Sequence, residues 1–191
     1  VLESYHYERK DILKRAEAQG RELSPDEEKR LVKLYSERIE SYLDAGHGGC
    51  WLRDPNIGGI VAGALSHFDG ERYHLHAWMV MPNHVHAVLT PLEGHSLSRI
   101  LHSWKSFTAH EAQNMAQTPS LQIPKGEGFW QRESYDHLVR DEAEFARVCE
   151  YTIQNPVYAG LCKRPEDWPF SSAVVFALRT AGVPPASIKL K

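Results

Sequence analysis

His84 and His86 stand two apart in MPNHVHAVLTP. On a strand that spacing sends both imidazoles out of one face, where they can converge on a single ion. Val85, Ala87 and Leu89 then alternate to the opposite, core-facing side. Two neighbouring histidines set into an apolar core without partners would be costly, so their face is either wet or metal-bound. The spacing by itself also fits an ordinary structural pair, since His74 and His76 repeat it one strand earlier. Tyr151 and Asn155 form a second constellation. Four residues apart, they lie on one flank of a helix whose core side is marked by Phe145, Val148, Cys149 and Thr152. From that flank a phenol and a carboxamide can point at the sheet. The same two residues also read as a boundary packing tyrosine and a helix stop, because Pro156 follows.

The elements that must hold these side chains are read from capping and turn chemistry. Residues 1–46 read as a helical pair. Its second member opens with Ser24 as cap, Pro25 at the first helical position and Glu27 completing a capping box. An apolar stripe follows through Leu31, Leu34, Tyr35, Ile39, Tyr42 and Leu43. Asp54-Pro55 launches a helix to about Leu65, and Ser96 begins an amphipathic one to about Met115. Between them, Tyr73 to Met81 and His84 to Thr90 are β-rich runs joined at Pro82-Asn83, which predicts a hairpin. FWQRESYDHLVR is expected to contain a short strand. Asp141 caps a helix expected to end near Asn155, because proline disfavours helical geometry in the residue before it. This order describes an α+β domain, an antiparallel sheet with helices on one face and the histidines on the open one. The expected division is a helical extension over 1–46, a core over 47–172 and an irregular tail over 173–191.

Composition narrows the function classes. A net charge of −3 counts against a broad, generic nucleic-acid surface. Ten of the eleven histidines lie between His47 and His137, so any contact with DNA must run through a local groove or a metal. Cys50, Cys149 and Cys162 are far apart and form no CxxC pair, which argues for a reducing compartment and against a disulfide framework or zinc knuckle. No apolar run approaches the roughly 18 residues that span a bilayer. The expectation is a soluble, cytoplasmic protein.

MPNHVHAVLTP, SWKSFTAH, FWQRESYDHLVRDEAEF, EYTIQNPVYAGL and DWPFSS, in this order and spacing, resemble the REP-associated tyrosine transposases of bacteria. These belong with the single-strand insertion-sequence transposases and carry the HUH motif, two histidines flanking a hydrophobic residue. The resemblance covers roughly residues 47–172. It implies a ferredoxin-like HUH nuclease fold and an endonuclease and strand transferase for single-stranded or hairpin DNA at repetitive palindromes. The implied intermediate is a 5′-phosphotyrosine, and the implied setting is a nucleoid-associated monomer or homodimer. By position, His84 and His86 correspond to metal ligands, Asn155 to the third ligand and Tyr151 to the nucleophile. Tyr135, in SYDHLVR, is the rival nucleophile. The resemblance implies Mg²⁺ or Mn²⁺, which two nitrogens and an oxygen with open positions suit; imidazoles alone suggest Zn²⁺. Trp104 with Lys105, and Trp130 with Arg132, pair a cation for phosphate with a ring for a base, or are structural.

The family pattern begins with a central strand ahead of the helical pair, whereas this sequence starts at Val1 without it. The sheet is therefore expected to lack its first strand and to show an open edge along the His84–His86 strand. Two other function classes fit the residues. One is a small zinc hydrolase using His84 and His86, although no H-E-x-x-H or general-base carboxylate accompanies them. The other is a non-cutting DNA-binding protein on the same fold.

Overall fold

The computed structural model describes residues 11–27, 30, 43, 48–115, 128–131, 134 and 136–180. The chain forms two compact units, residues 1–47 and 48–191. In the first, the capping box forms as read. The Ser24 N–H donates to Glu27 Oε2 at 2.9 Å and the Glu27 N–H to Ser24 Oγ at 3.3 Å. Arg21 grips the same carboxylate at 2.7 and 2.8 Å and, with the Ser24 amide, holds Glu27 down to about 2. The apolar stripe from Leu31 to Tyr42 lies outside the described residues.

The second unit carries the sheet. Helix α1 (Pro55–Ser66) starts at Asp54, whose side chain accepts from the Asn56 N–H at 2.9 Å. Strands β1 (Tyr73–Val80) and β2 (Val85–Pro91) pair antiparallel, and the Met81 N–H closes their turn onto the His84 carbonyl at 2.8 Å. Helices α2 (Leu97–Met115), α3 (Glu142–Tyr158) and α4 (Ser172–Thr180) follow. Pairing runs from Tyr73↔Pro91 to Val80↔Val85 with one irregularity between Leu75 and Ala77, where His76 is a bulged, extra residue.

The α+β class and the antiparallel hairpin agree with the sequence reading, but helices lie on both faces of the sheet rather than one. On the first face, Tyr73, Trp78 and Val80 pack with Ile57, Val61 and Leu65 of α1 and Ile100, Trp104 and Ala112 of α2. Their buried polar atoms are relayed. Trp104 Nε1 donates to Tyr73 Oη at 3.1 Å, and Tyr73 Oη donates to the Leu65 carbonyl at 2.7 Å. The second face of the hairpin also carries apolar side chains, Ala77, Met79 and Val88, which cannot stay wet cheaply, and α3 covers them.

The outer edge of β1 is braced by DWPFSS. The Val80 N–H donates to the Phe170 carbonyl at 2.8 Å, Trp168 Nε1 to the Val80 carbonyl at 2.9 Å, and Ser172 Oγ bonds the Trp78 backbone. Phe170 lies so close to α1 that a Cβ on Gly58 would stand 2.8 Å from its ring. Among the described residues no strand pairs with the outer edge of β2.

Three expectations need correction. The described residues of FWQRESYDHLVR form no strand; instead of a ladder, Trp130 Nε1 donates to Thr108 Oγ1 at 2.8 Å and Lys105 Nζ to the Gln131 carbonyl at 3.0 Å, both fastening the segment to α2. The stretch taken as an irregular tail contains α4, a run without glycine or proline whose Ala173 is buried. Helix α3 continues past Asn155 through Pro156 to Tyr158. Proline forfeits one helical hydrogen bond, but its ring is buried, and a Schellman closure completes the turn. The Gly160 N–H reaches the Val157 carbonyl at 3.0 Å and the Leu161 N–H the Pro156 carbonyl at 2.9 Å, with Gly160 at φ 69°. That left-handed backbone favours glycine.

At its other end, α3 is capped by Asp141, which accepts from the Glu144 N–H at 2.7 Å. The Glu144 carboxylate bridges His137 Nε2 at 2.9 Å and the Arg140 N–H at 2.8 Å, which hold it below the usual carboxylate range. Asp141→Ala is expected to lower unfolding free energy by about 1 kcal/mol in urea at neutral pH. A depressed carboxylate stabilises above its ordinary pKa and loses that contribution as pH falls below it. Hence Glu144→Gln should be less stable than wild type at pH 7, with the gap closing on acidification below pH ~4; a gap independent of pH would show that the charge plays no part.

Candidate functional site

The hairpin turn delivers the histidines. The Leu52 N–H donates to the Pro82 carbonyl at 3.0 Å and pins the turn. Next to it, Asn83 Oδ1 accepts from His84 Nδ1–H at 2.8 Å, which leaves the lone pair on Nε2. His86 sits opposite Met79 in the ladder. The two Nε2 atoms are 3.1 Å apart, with rings 4.8 Å between centroids at 82°. Burial, and then the neighbouring imidazole, push His84 down to about 3, while burial pushes His86 to about 4. Both rings are therefore neutral at neutral pH, and with the lone pair on His84 Nε2 it is His86 Nε2–H that donates across the 3.1 Å contact.

Helix α3 lies across this face, so the histidines are not on an open surface as expected; the site is an interface between β2 and α3. The Tyr151 ring meets the His86 ring edge-on at 6.1 Å. One turn on, Asn155 Nδ2 donates to Tyr151 Oη at 3.3 Å. Contacts thus run without a break from His84 through His86 and Tyr151 to Asn155. Asn155 is not on a flank, because the helix buries its Thr152–Asn155–Pro156 side and Asn155 is 0 % exposed. Phe145 is only half-buried and meets the His76 ring edge-on at 5.0 Å.

Asn155 Oδ1 is buried with no hydrogen-bond partner among the described residues. An acceptor in that condition costs about 1–3 kcal/mol, which makes it the atom of the site that calls for a ligand. Beyond Tyr151 stand two neutral imidazoles whose 3.1 Å spacing lets both reach one ion at the usual distance of about 2.0–2.2 Å, with His86 in the tautomer that frees its Nε2. No cluster of three His, Cys, Asp or Glu side chains forms among the described residues. The donor set on offer is two imidazole nitrogens and an amide oxygen, and it fits a divalent ion with open positions.

The aromatic partners fare differently. Trp104 is in the core, 9 % exposed and bonded to Tyr73, so it cannot stack a base, and of its two readings the structural one holds. Trp130 is half-buried, bonded to Thr108 and edge-on to Phe129 at 5.0 Å. Lys105 holds the Gln131 carbonyl, and burial lowers its pKa. Arg132 and Tyr135 lie outside the described residues. Sequence reasoning passed over Asn83, although an amide beside a histidine ligand is the ordinary way to fix its tautomer.

Two measurements test this arrangement. Mn²⁺ at about a hundred times its Kd should raise the unfolding free energy of the wild type by about 2.7 kcal/mol. It should raise that of His86→Ala and Asn155→Leu not at all, while metal-free Asn155→Leu is at least as stable as wild type because it removes an unpaired buried acceptor. A full metal response in Asn155→Leu would remove Asn155 from the ligand set. Trp104→Ala should cost about 3–5 kcal/mol, as a core truncation does; weaker DNA binding at unchanged stability would instead restore its surface role.

Comparison with known proteins gives this geometry a context. Residues 64–155, which contain both histidines, Tyr151 and Asn155, match the family model described as transposase IS200 like. A REP-associated tyrosine transposase of Escherichia coli is 30% identical over 103 residues, 52% of this chain and 54% of its own length. A protein of Haemophilus influenzae named for the same group is 30% identical over 96 residues, 49% of this chain and 54% of its own. The chain thus spans about half the length of the curated relatives it matches. A solved structure of a REP-associated tyrosine transposase bound to a REP hairpin matches with a TM-score of 0.50 at 25% identity, covering 66% of this chain and 69% of that one. Residues 64–155 of this chain are thus similar to the IS200-like transposases, and the chain resembles the REP-associated tyrosine transposases in sequence and in fold.

Proposed function

We propose that this chain is a single-tyrosine endonuclease and strand transferase acting on single-stranded DNA beside a hairpin. The observation that carries the reading is Tyr151, whose hydroxyl accepts from the buried Asn155 amide while its ring meets that of His86. A phenol has a pKa of about 10 and is a poor nucleophile at neutral pH. The Asn155 N–H donated to Tyr151 Oη favours the phenolate over the phenol. In the forward step the phenol proton passes to solvent, the Tyr151 oxygen bonds to phosphorus, and the bond to the 3′ oxygen breaks. That oxygen takes up a proton, and the 5′ phosphate stays on Tyr151. Reversal with another 3′-hydroxyl joins strands, so bond energy is conserved and no nucleoside triphosphate is consumed.

His84, His86 and Asn155 would hold Mg²⁺ or Mn²⁺, which when bound draws negative charge from the scissile phosphate. The two histidines arrive neutral, and Asn83 orients His84 with its lone pair inward. Similarity to a transposase solved with a REP hairpin supports hairpin DNA as the substrate class. Lys105 and Arg132 are proposed as phosphate contacts.

The test is covalent trapping. Wild type with Mn²⁺ and a DNA hairpin bearing single-stranded flanks should give a denaturant-stable protein–DNA adduct. Tyr151→Phe should bind the same DNA and give none, and Tyr135→Phe should still give one. Mapping the adduct to Tyr135 would overturn the nucleophile. Binding without any adduct would indicate a non-cutting DNA-binding protein, and strand scission with free 5′-phosphate and no adduct would indicate a hydrolase using activated water.

A further inference from the structure

Tyr158 is an aromatic residue that the reaction above leaves unused. It stands two turns beyond Tyr151 on α3, and its ring lies 6.1 Å from the Tyr151 ring with the planes tilted by only 34°. Yet it is 66% exposed, in the helix turn that also contains the fully buried Asn155 and Pro156. That turn is rigidly closed, because Gly160 in the left-handed region and the Leu161 N–H on the Pro156 carbonyl terminate the helix immediately after it. A large ring is thus presented to solvent, at a fixed place, in contact with the nucleophile. The tryptophans first considered for stacking are committed elsewhere, Trp104 in the core and Trp130 on Thr108. A net charge of −3 also leaves affinity for a polyanion to a few local contacts.

We infer that Tyr158 is a stacking platform for the nucleobase next to the phosphate attacked by Tyr151. Every base has a π face, so such a platform holds single-stranded DNA with little regard to sequence and presents the adjoining phosphate to the nucleophile. The inference rests on the proposed function, and its test reads binding rather than cleavage so that the two can fail separately.

The probe is a DNA hairpin with mixed-sequence single-stranded flanks, used intact and with an abasic site walked along each flank. Tyr158→Ala should weaken binding about tenfold, and Tyr158→Phe, which keeps the ring, should bind like wild type. At one flank position the abasic site should cost wild type the same factor and cost Tyr158→Ala nothing further. 2-Aminopurine at that position should be quenched by wild type and Tyr158→Phe but not by Tyr158→Ala. Equal affinities for wild type and Tyr158→Ala, or a penalty from Tyr158→Ala that no abasic position absorbs, overturn the inference and leave the nuclease reading intact. A wild type that binds no such DNA overturns both.

Discussion

Holding His84, His86 and Asn155 between β2 and α3 takes two imidazoles and a carboxamide out of water, and the rest of the unit is arranged around that cost. The imidazoles shed their protons, Asn83 accepts from one ring nitrogen, and the Tyr151 hydroxyl accepts from the amide nitrogen. One atom, Asn155 Oδ1, is left over. The first face of the sheet compensates with an apolar core built on Tyr73, Trp78, Ile57 and Trp104, in which the tyrosine and tryptophan polar tips are satisfied internally. A well-packed side and a polar side share one hairpin.

The precision of the polar side depends on how its two supports begin and end. The turn at Pro82-Asn83 sets where His84 emerges, and the ladder then sets His86 opposite Met79. The DWPFSS segment braces the far edge of β1 and so steadies that register. Helix α3 is started by Asp141 and stopped by Gly160, and Tyr151 and Asn155 sit one turn apart between these ends. A slip of one residue in the strand would send both imidazoles to the other face. A slip in the helix would turn the phenol away by about 100°.

Local chemistry was legible in the sequence. The hairpin, the Asp54, Asp141 and Ser24 caps and the pairing of His84 with His86 each depend on residues within a few positions of one another. What could not be read depends on distant partners. Nothing near Trp104 says that its indole will find Tyr73, and nothing near Asn155 says that its side of α3, rather than that of Phe145, will be the most deeply buried. The end of α3 was misplaced because Pro156 weighs against a helix locally, whereas its burial and the Gly160 closure weigh for one. The strand expected in FWQRESYDHLVR has the right residue types, but its described part is tied to α2 by side chains instead of a ladder.

The bulge at His76 works like a shift of reading frame inside a strand. Before it, the odd-numbered Tyr73 and Leu75 face α1 and α2; after it, the even-numbered Trp78 and Val80 do, while Ala77 and Met79 join the histidine side. One surplus residue thus lets a single strand serve two faces whose alternation would otherwise conflict. An alignment that carries β1 without a gap across a relative lacking the extra residue will exchange inside for outside at every later position up to the turn. A deletion at His76 would instead close the bulge: Leu75 and Ala77, already on opposite faces, would become neighbours, and Trp78 and Met79 would keep their sides.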